Sequence, residues 1–511
     1  MDAEIAEQNP LREGLVEERL PEPCTIVIFG ASGDLTKRKL LPALYSLSRE
    51  RLTPPALAVV GFARRPIPDF VAQMREGCDK YARRRPVDAA LWETFAQGIS
   101  YVDGNFDDAA AFLRLREHLD AIDKARGIPG NRVFYFSTPP TSMPVILENL
   151  AKAGLLVSGQ QKPFQRLILE KPFGTDLESA RALNRAVAAV AHESQVFRID
   201  HYLGKETVQN LMVLRFANGI FEPLWNNKYV DHVQITGAEA IGLEGRAGYF
   251  EQAGILRDMV QSHLLQVLAI TAMEPPVTLS ADDLRDEKVK VLKALRRIPE
   301  DAYDQYLVRG QYSEGSIAGR RMPAYLAEPG VAPGSVTETF VALKIFVDNW
   351  RWAGVPFYLR SAKAMPKRVT EVALVFKSAP HRLFGSAAGI EPNVLAIRIQ
   401  PDEGISIKFG AKVPGPTTDI HPVNMEFRYG TSFGVEPPEA YERLLLDCML
   451  GDASLFTRSD EVEALWRWIT RIHRAWAASG VTAIAQYEAG TWGPSEASEL
   501  LARDGRAWRK P

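Results

Sequence analysis

The sequence has few cysteines and no long apolar segment. Three cysteines occur among 511 residues, and Cys24, Cys78 and Cys448 stand too far apart for a CxxC redox motif or a zinc knuckle. We therefore expect reduced thiols and no metal site. The N terminus is charged and lacks the apolar core of a secretory signal, and no later run is long enough to span a bilayer. These absences predict a cytoplasmic protein with no membrane partner.

The chain also lacks an excess of charge of either sign. Its 61 lysines and arginines against 63 aspartates and glutamates give a formal net charge of -2. This balance creates no overall field that would attract nucleic acid, so any anion has to be bound by a local cluster. Hydrophobic residues make up 46% and charged residues 24%, as in globular proteins, and 511 residues suggest two or more domains.

Strands and helices alternate in the N-terminal part of the chain. Short apolar runs rich in β-branched and aromatic residues predict strands at residues 24–29, 57–63, 132–137 and 166–170. Segments with helical periodicity separate them, and an Ala-rich helix over 176–193 has Thr175 or Asp176 as its N-cap. This alternation predicts a Rossmann-like, doubly wound parallel sheet. We assign residues 1–22 to a flexible N-terminal segment and residues 23–199 to this domain.

The pattern changes after residue 200. Alternating apolar and polar positions with β-branched residues predict antiparallel strands at residues 230–239, 336–347, 370–377 and 393–400. We therefore expect residues 200–511 to form a larger C-terminal domain, built on a mostly antiparallel sheet with helices. The predicted fold class is an α/β domain followed by an α+β domain.

A glycine turn follows the first predicted strand. The sequence "VIFGASGDLTKRKLL" places Gly30 and Gly33 between a strand and a helix, where backbone amides can approach a pyrophosphate. The motif is an incomplete GxGxxG, so a nucleotide site and an ordinary turn both stay open. After the second strand, "GFARR" offers Arg64 and Arg65 where an NAD site has an acidic residue. Arginine there favours the 2'-phosphate of NADP, and a solvated arginine pair is the alternative.

The stretch "FRIDHYLGKE", residues 197–206, concentrates ionisable groups. An imidazole, a phenol and an ammonium, from His201, Tyr202 and Lys205, could bind several oxygens of a phosphate monoester. Asp200 need not contact His201, because neighbouring side chains on an extended strand point to opposite faces. The cluster predicts a site for a compact dianion.

Five motifs in order along the chain are similar to those of the glucose-6-phosphate dehydrogenase family: "FGASGDLTKRK", "LEKPFG", "RIDHYLGKE", "RDMVQSHLLQ" and "GVPFYLRSAKAM". The resemblance implies oxidation of the C1 hydroxyl of glucose 6-phosphate to 6-phosphogluconolactone. NADP would accept the hydride, in the first step of the oxidative pentose phosphate pathway. The resemblance also implies a homodimer or homotetramer, and the sequence does not decide between them.

The resemblance assigns roles residue by residue. It implies that His263 is the general base and that Asp200 is its partner carboxylate. It implies substrate contacts at Lys39, Lys171, His201, Tyr202, Lys205, Glu239, Asp258, Lys363 and Arg368. It implies cofactor contacts at Gly30, Ser32, Gly33, Asp34, Leu35, Arg64 and Lys171. Gln400 is a weaker substrate candidate, and Pro172 is similar to the proline that links the cofactor and substrate domains.

Two positions depart from the family pattern. Ser262 stands where asparagine usually precedes the base, and Leu41 replaces a common tyrosine. The joint role of Asp258 and His263 rests on the resemblance, because on an α-helix residues with this spacing lie about 140° apart around the axis. We interpret six other histidines as structural, among them His192, His232 and His473.

Two other functions compete with the dehydrogenase. One is a non-catalytic sensor of NADP or a sugar phosphate, against which the retained His263 and Asp200 argue. The other is a related sugar dehydrogenase with an unphosphorylated substrate, against which Tyr202 and Lys205 argue. Replacing His263 or Lys205 distinguishes these functions.

Overall fold

In a computed structural model, the described residues are 20–159, 162–299, 302–381, 383–384, 390–433, 438–479 and 484–511. Residues 1–19 of the predicted N-terminal segment lie outside these ranges. Within them, no helix has the length and apolar character needed to cross a membrane. All three cysteines are free and buried.

The N-terminal sheet has six strands. They are β1 (Thr25–Phe29), β2 (Ala58–Ala63), β3 (Ile99–Asp103), β4 (Arg132–Phe136), β5 (Gln165–Leu169) and β6 (Val196–Arg198). Their order is β3-β2-β1-β4-β5-β6. β1 pairs in parallel with β2 and β4, and β2 pairs in parallel with β3. The predicted doubly wound parallel sheet is confirmed.

The core of this sheet explains why β1 forms where it does. All five side chains of β1 are buried, as expected for a strand whose two faces are both covered. The ring of Phe29 packs against Phe62, Phe112 and Phe136, with centroid distances of 5.3, 5.9 and 5.5 Å. This aromatic cluster holds the strand that ends at the glycine turn.

Helices occupy the segments between and after the strands. The α-helices are α1 (Leu41–Arg49), α2 (Phe70–Tyr81), α3 (Ala89–Ala96), α4 (Ala109–Arg126), α5 (Met143–Lys152), α6 (Leu177–Ala188), α7 (Glu206–Phe216), α8 (Ala247–Ile255), α9 (Leu265–Ala272), α10 (Ala281–Lys293), α11 (Tyr429–Phe433), α12 (Ala440–Leu450), α13 (Ser459–Ser479) and α14 (Ser495–Ala502). Two π-helices span Thr36–Leu40 and Leu256–Leu264. Asp176 caps α6, since its side chain accepts from the Ser179 backbone N–H at 2.8 Å. The cap is therefore Asp176, one of the two predicted candidates.

The second sheet is larger and mixed. Its strands are β7 (Val230–Ala238), β8 (Leu307–Ser313), β11 (Phe340–Phe346), β12 (Pro356–Ala362), β13 (Val369–Phe376), β14 (Val394–Gln400), β15 (Gly404–Lys412), β16 (Ile420–Arg428) and β17 (Ala485–Glu488), while β9 (Gly315–Ile317) and β10 (Arg320–Met322) form a separate hairpin. The order is β16-β15-β14-β13-β7-β12-β11-β8-β17. β12 pairs with β7 and β17 with β8 in parallel, and the other pairs are antiparallel. The predicted mostly antiparallel sheet is confirmed.

The chain divides into two compact units. The first contains residues up to 137, 160–167 and 445–452, and the second contains 138–159, 168–444 and 453–511. The glycine turn, Lys39 and Arg64 belong to the first unit. Every other predicted site residue belongs to the second. The predicted domain boundary after residue 199 stays a prediction.

Candidate active site

A histidine and a carboxylate form a buried pair. Asp200 lies two residues after Arg198, the last residue of β6. His263 lies in the π-helix Leu256–Leu264. His263 Nδ1 donates to Asp200 Oδ1 at 2.5 Å, and the side chains are 1% and 3% exposed. The same Asp200 oxygen accepts from the Tyr202 backbone N–H at 3.0 Å. These contacts fix the imidazole through Nδ1 and leave Nε2 as the nitrogen that can accept a proton.

Lys171 contacts that second nitrogen. Its ammonium donates to His263 Nε2 at 2.7 Å and to the Asp258 backbone carbonyl at 2.9 Å. It also lies 3.5 Å from Asp258 Oδ1. A donor on Nε2 and an acceptor on Nδ1 assign the imidazole hydrogen to Nδ1. The lone pair of Nε2 is therefore directed at the place where a substrate hydroxyl would have to come.

The surroundings set the charge of the pair. Burial lowers the pKa of His263 below its ordinary value. The charge and hydrogen bond of Asp200 raise this pKa, and the charge of Lys171 lowers it further. Burial alone would raise the pKa of Asp200, but the charge and hydrogen bond of His263 hold it well below its usual range. At neutral pH the imidazole is neutral and the carboxylate is ionised. A general base and its orienting partner need these protonation states.

The π-helix explains how Asp258 and His263 meet. In a π-helix, residue i bonds to residue i+5, so residues with this spacing lie on nearly the same side of the helix. Both therefore reach the ammonium of Lys171. The expectation of a wide angle between them assumed α-helical geometry and was wrong for that reason. Ser262, which departs from the family pattern, donates to the Asp258 carbonyl at 3.3 Å.

Two further predicted residues pack against the base. The ring of Tyr202 stacks on His263, with a centroid distance of 4.3 Å and an angle of 19°. The ring of His201 meets His263 edge to face at 4.4 Å. Residues 201–204 form a turn and not a strand. The expectation that Asp200 and His201 point to opposite faces was therefore wrong, and these side chains converge on His263.

A hydrogen-bonded chain leads from an arginine to the stacked tyrosine. Arg368 Nη2 donates to Gln400 Oε1 at 3.0 Å, and Gln400 Nε2 donates to the Tyr202 hydroxyl at 3.1 Å. Gln400 Nε2 also donates to Thr370 Oγ1 at 3.0 Å, which lies 3.3 Å from the tyrosine oxygen. Thr370 is 1% exposed and was not among the predicted residues. The geometry supports the weaker candidate Gln400.

We expect Thr370→Val, which keeps the shape of the side chain, to lower kcat/KM about 2- to 10-fold, the value of one buried hydrogen bond. The reason is that Tyr202 then loses a fixed partner beside His263. Initial-rate kinetics measure the effect. Thr236→Val is the matched control, because Thr236 is a buried threonine on the same sheet that accepts from Arg360. An equal loss in both variants would contradict a specific role for Thr370.

Charged side chains surround Asp258. Lys363 Nζ pairs with Glu239 Oε2 at 2.7 Å, and the Tyr249 hydroxyl donates to Asp258 Oδ1 at 3.2 Å. Burial alone would raise the pKa of Asp258, but the charges of Lys171 and Lys363 lower it. Asp258 is thus an ionised acceptor for a hydroxyl. Tyr249 is a further contact that the sequence analysis missed.

A predicted phosphate ligand, Lys205, and a predicted substrate contact, Arg368, line a common cavity. Lys205 and Arg368 border a space of about 590 Å³ together with Gln400 and Tyr429. Lys205 comes immediately before α7, whose first residue is Glu206. Cationic side chains of this kind bind phosphate oxygens, and the same wall also carries Arg428 and the acidic residues Asp402, Glu403 and Glu439.

The first unit holds the residues predicted for a dinucleotide. Gly30 has φ of 80°, and the Gly33 N–H donates to the Gly30 carbonyl at 2.9 Å. A Cβ on Gly33 would lie 3.2 Å from that carbonyl, so a side chain would crowd the turn. Arg64 is exposed at the end of β2. A turn with glycine at both ends and a nearby guanidinium fit a pyrophosphate and a 2'-phosphate.

The other predicted residues of this unit lie on or near the turn. Ser32 and Asp34 are exposed, and Leu35 is half-buried. Asp34 forms an ion pair with Arg38 at 3.4 Å. Lys39 lies half-buried in the π-helix Thr36–Leu40. Their roles toward a cofactor or substrate stay predictions.

The chain is similar to known proteins over nearly its whole length. Residues 27–210 match the family model "Glucose-6-phosphate dehydrogenase, NAD binding domain", and residues 212–509 match "Glucose-6-phosphate dehydrogenase, C-terminal domain". "Glucose-6-phosphate 1-dehydrogenase 2" of Mycobacterium tuberculosis is 49% identical over 99% of this chain and 98% of the relative. The protein of Aggregatibacter actinomycetemcomitans named "Glucose-6-phosphate 1-dehydrogenase" is 48% identical over 96% of this chain and 98% of the relative.

Solved structures are similar as well. "Glucose-6-phosphate dehydrogenase in complex with its substrate glucose-6-phosphate" matches with a TM-score of 0.86 and 35% identity over 96% of this chain and 99% of that chain. The Mycobacterium avium "Glucose-6-phosphate 1-dehydrogenase" matches with a TM-score of 0.80 and 37% identity over 96% of this chain and 99% of that chain. Sequence and fold thus point to one family.

Proposed function

The chain belongs to the glucose-6-phosphate dehydrogenase family, and we propose that it oxidises the C1 hydroxyl of glucose 6-phosphate to the lactone with NADP as hydride acceptor. The observation that carries the proposal is the buried pair of His263 and Asp200, in which Nδ1 of His263 contacts the carboxylate and Nε2 contacts the ammonium of Lys171. The names of the relatives support the substrate, and one similar structure contains it.

The proton step uses His263 as the base. Lys171 donates to Nε2, so the ammonium has to yield this position to the C1 hydroxyl. His263 then takes the hydroxyl proton, and Asp200 stabilises the imidazolium that forms. Asp258 accepts a hydrogen bond from a neighbouring sugar hydroxyl. A positioned base of this kind contributes about 10²- to 10⁴-fold to the rate.

The phosphate group is held away from the reacting carbon. We propose that Lys205 and Arg368 bind its oxygens, with His201 and Tyr202 completing the contacts. Gln400 connects Arg368 to Tyr202, which stacks on His263. Binding of the remote phosphate therefore helps to place C1 at the base, and this binding energy is used for positioning.

The glycine turn is the proposed site of the dinucleotide. Because Gly30 and Gly33 have no side chains, the pyrophosphate can approach the backbone of the turn closely, and Arg64 binds the 2'-phosphate that distinguishes NADP from NAD. Lys171 is the proposed contact of both cofactor and substrate. When bound, the nicotinamide supplies the acceptor for the hydride that leaves C1.

Replacing Arg64 by alanine is expected to raise KM for NADP about 10- to 100-fold, because a charge-assisted hydrogen bond is worth about 1.5–3 kcal/mol. KM for NAD should change little, since NAD has no 2'-phosphate. Initial rates with each cofactor measure both values. Arg116→Ala serves as control because Arg116 is an exposed arginine on α4. An equal effect on both cofactors would refute the assignment.

The function is tested by comparing sugars. We expect turnover of glucose 6-phosphate, with kcat/KM for free glucose lower by about 10³-fold or more because the remote binding energy is lost. Lys205→Ala should weaken turnover of the phosphorylated sugar and leave that of glucose unchanged. Equal rates with both sugars would favour the related sugar dehydrogenase. Binding of substrate and cofactor without turnover would favour the sensor.

We also propose that the protein assembles as a homo-oligomer, as the family resemblance implies. β16 forms one edge of the larger sheet, and Val423 and Met425 on it are 37% and 63% exposed. An edge strand with exposed apolar side chains is a surface that proteins commonly cover. Sedimentation equilibrium gives the number of subunits.

A further inference from the structure

A cavity of about 360 Å³ is bordered by basic and aromatic side chains that the proposed reaction does not use. Residues on its wall include Gly254, Arg257, Arg309, Glu338, His473 and Trp476. They come from the end of α8, the π-helix after it, β8, the segment before β11, and α13. Its size falls within the range of pockets that bind small molecules.

Two guanidinium groups lie on this cavity wall. Arg257 donates from Nε to the Thr175 carbonyl at 3.1 Å and from Nη1 to the Gln252 carbonyl at 3.2 Å. Both of these acceptors are uncharged backbone groups. The guanidinium of Arg309 stacks on the ring of Trp476 at 4.6 Å. Burial lowers the pKa of both arginines, and the charge of Glu338 opposes this effect without reversing it. An anion in the cavity would compensate for the water that these cations have lost.

One nitrogen of the imidazole on the same wall has no hydrogen-bond partner among the described residues. Within the part of the chain that the structure describes, the buried Nε2 of His473 is unpaired. Burial, followed by the charges of Arg257 and Arg309, lowers the pKa of His473 to about 3. The positive potential of the two arginines thus reaches this ring. An unpaired buried polar atom is destabilising, and a ligand oxygen would supply the missing hydrogen bond.

The acidic residues of the wall are already engaged. Glu251 accepts from the Tyr325 hydroxyl, from the Ser335 hydroxyl at 2.8 Å and from the Ala332 N–H at 3.3 Å. Glu338 accepts from the Leu256 N–H at 3.3 Å, and burial raises its pKa, which favours the uncharged form. These hydrogen bonds hold both carboxylates on the wall, while the guanidinium groups of Arg257 and Arg309 supply its positive charge.

We propose that this cavity binds a small organic anion through a phosphate or carboxylate group, held by Arg257, Arg309 and His473, and that its occupation changes turnover. The route is short, because Arg257 directly precedes Asp258 in the π-helix that also carries His263. Asp258 in turn accepts from Lys171, which contacts the base. The effect on turnover rests on the proposed function, whereas binding of the anion does not.

Equilibrium dialysis of the full chain with radiolabelled inorganic phosphate tests binding, with the active site first filled by saturating glucose 6-phosphate and NADPH. We expect one additional phosphate per chain, and at least about tenfold weaker retention in Arg309→Gln, since a charge-assisted contact is lost. Arg320→Gln, at an exposed arginine of β10, should bind like the unaltered chain. His473→Phe is a second variant that removes the ring nitrogens, and thermal unfolding verifies that each variant is folded. If citrate displaces the phosphate, the site accepts a carboxylate ligand. If citrate does not displace it, the ligand is a phosphate.

The site would be overturned if the unaltered chain bound no additional phosphate. It would also be overturned if Arg309→Gln and His473→Phe both retained phosphate as tightly as the unaltered chain. At saturating substrates, phosphate should change kcat of the unaltered chain at least twofold and leave kcat of Arg309→Gln unchanged. Binding without any change in kcat would overturn the regulatory role. A chain that binds this phosphate but has no dehydrogenase activity would refute the proposed function and leave the anion site standing.

Discussion

Replacing His263 by asparagine is expected to lower kcat about 10²- to 10⁴-fold, because the group that we propose takes the C1 hydroxyl proton is removed. KM for glucose 6-phosphate should stay within about threefold, since the proposed phosphate ligands Lys205 and Arg368 are unaltered. Steady-state kinetics at saturating cofactor separate the two parameters. A loss confined to kcat identifies an interaction that belongs to the chemical step.

The chain provides a matched control for this variant. His232 is also buried and also pairs through Nδ1 with an aspartate, at 2.7 Å from Asp231 Oδ2. His232→Asn removes a similar pair from β7, which has no part in the proposed chemistry. We expect it to affect stability and to leave kcat nearly unchanged. If His263→Asn kept normal turnover, His263 would not be the base.

The second large effect is expected for Asp200→Asn. The carboxylate accepts the hydrogen of His263 Nδ1, whereas an amide could instead donate to that nitrogen and favour the tautomer with hydrogen on Nε2. That tautomer cannot accept a proton from the substrate. The loss of an orienting carboxylate also removes the charge that stabilises the imidazolium. We therefore expect kcat to fall about 10³- to 10⁴-fold.

The pH dependence of Asp200→Asn has a definite sign. A general base is active when it is unprotonated, so kcat/KM falls as pH falls through the pKa of His263. Burial places that pKa below 6.5 in the unaltered chain, and Asp200 raises it. Removal of the carboxylate should move the acidic limb to still lower pH. The pH profile of kcat/KM measures the shift, Asp231→Asn is the control, and a limb that moves upward would contradict the assignment.

Much of the fold follows from local patterns. The run "TIVIF" of β1 is buried at every position. Such a strand needs apolar side chains on both faces, and the resulting continuous apolar run can be recognised in the sequence. β3, "ISYVD", was missed because it is an edge strand with only its first residue fully buried, which leaves a weak apolar signal. β12, "PFYLRSA", was also missed, since Arg360 and Ser361 interrupt its apolar run although all its residues are buried. Buried polar residues acquire partners only in the folded sheet.

The site was less accessible to such patterns. The pairing of Asp200 with His263 joins positions 63 residues apart, and the family resemblance identified it where spacing could not. The π-helix that brings Asp258 to the same lysine as His263 has no signature in apolar periodicity. Thr370 and Tyr249 carry no motif, because a single hydroxyl in a strand or helix looks like any other polar position. Their roles emerge from hydrogen bonds between distant elements.

Single-turnover hydride transfer in His263→Asn is the most direct test that this imidazole takes the proton, because product release limits kcat in many enzymes and can hide the chemical step. The measurement is a stopped-flow record of reduced cofactor formation, with glucose 6-phosphate affinity determined separately by calorimetry. We predict a hydride transfer rate at least about 10²-fold lower than in the unaltered chain, with the dissociation constant of the sugar phosphate within about threefold. An unchanged transfer rate at saturating substrate would contradict the central claim.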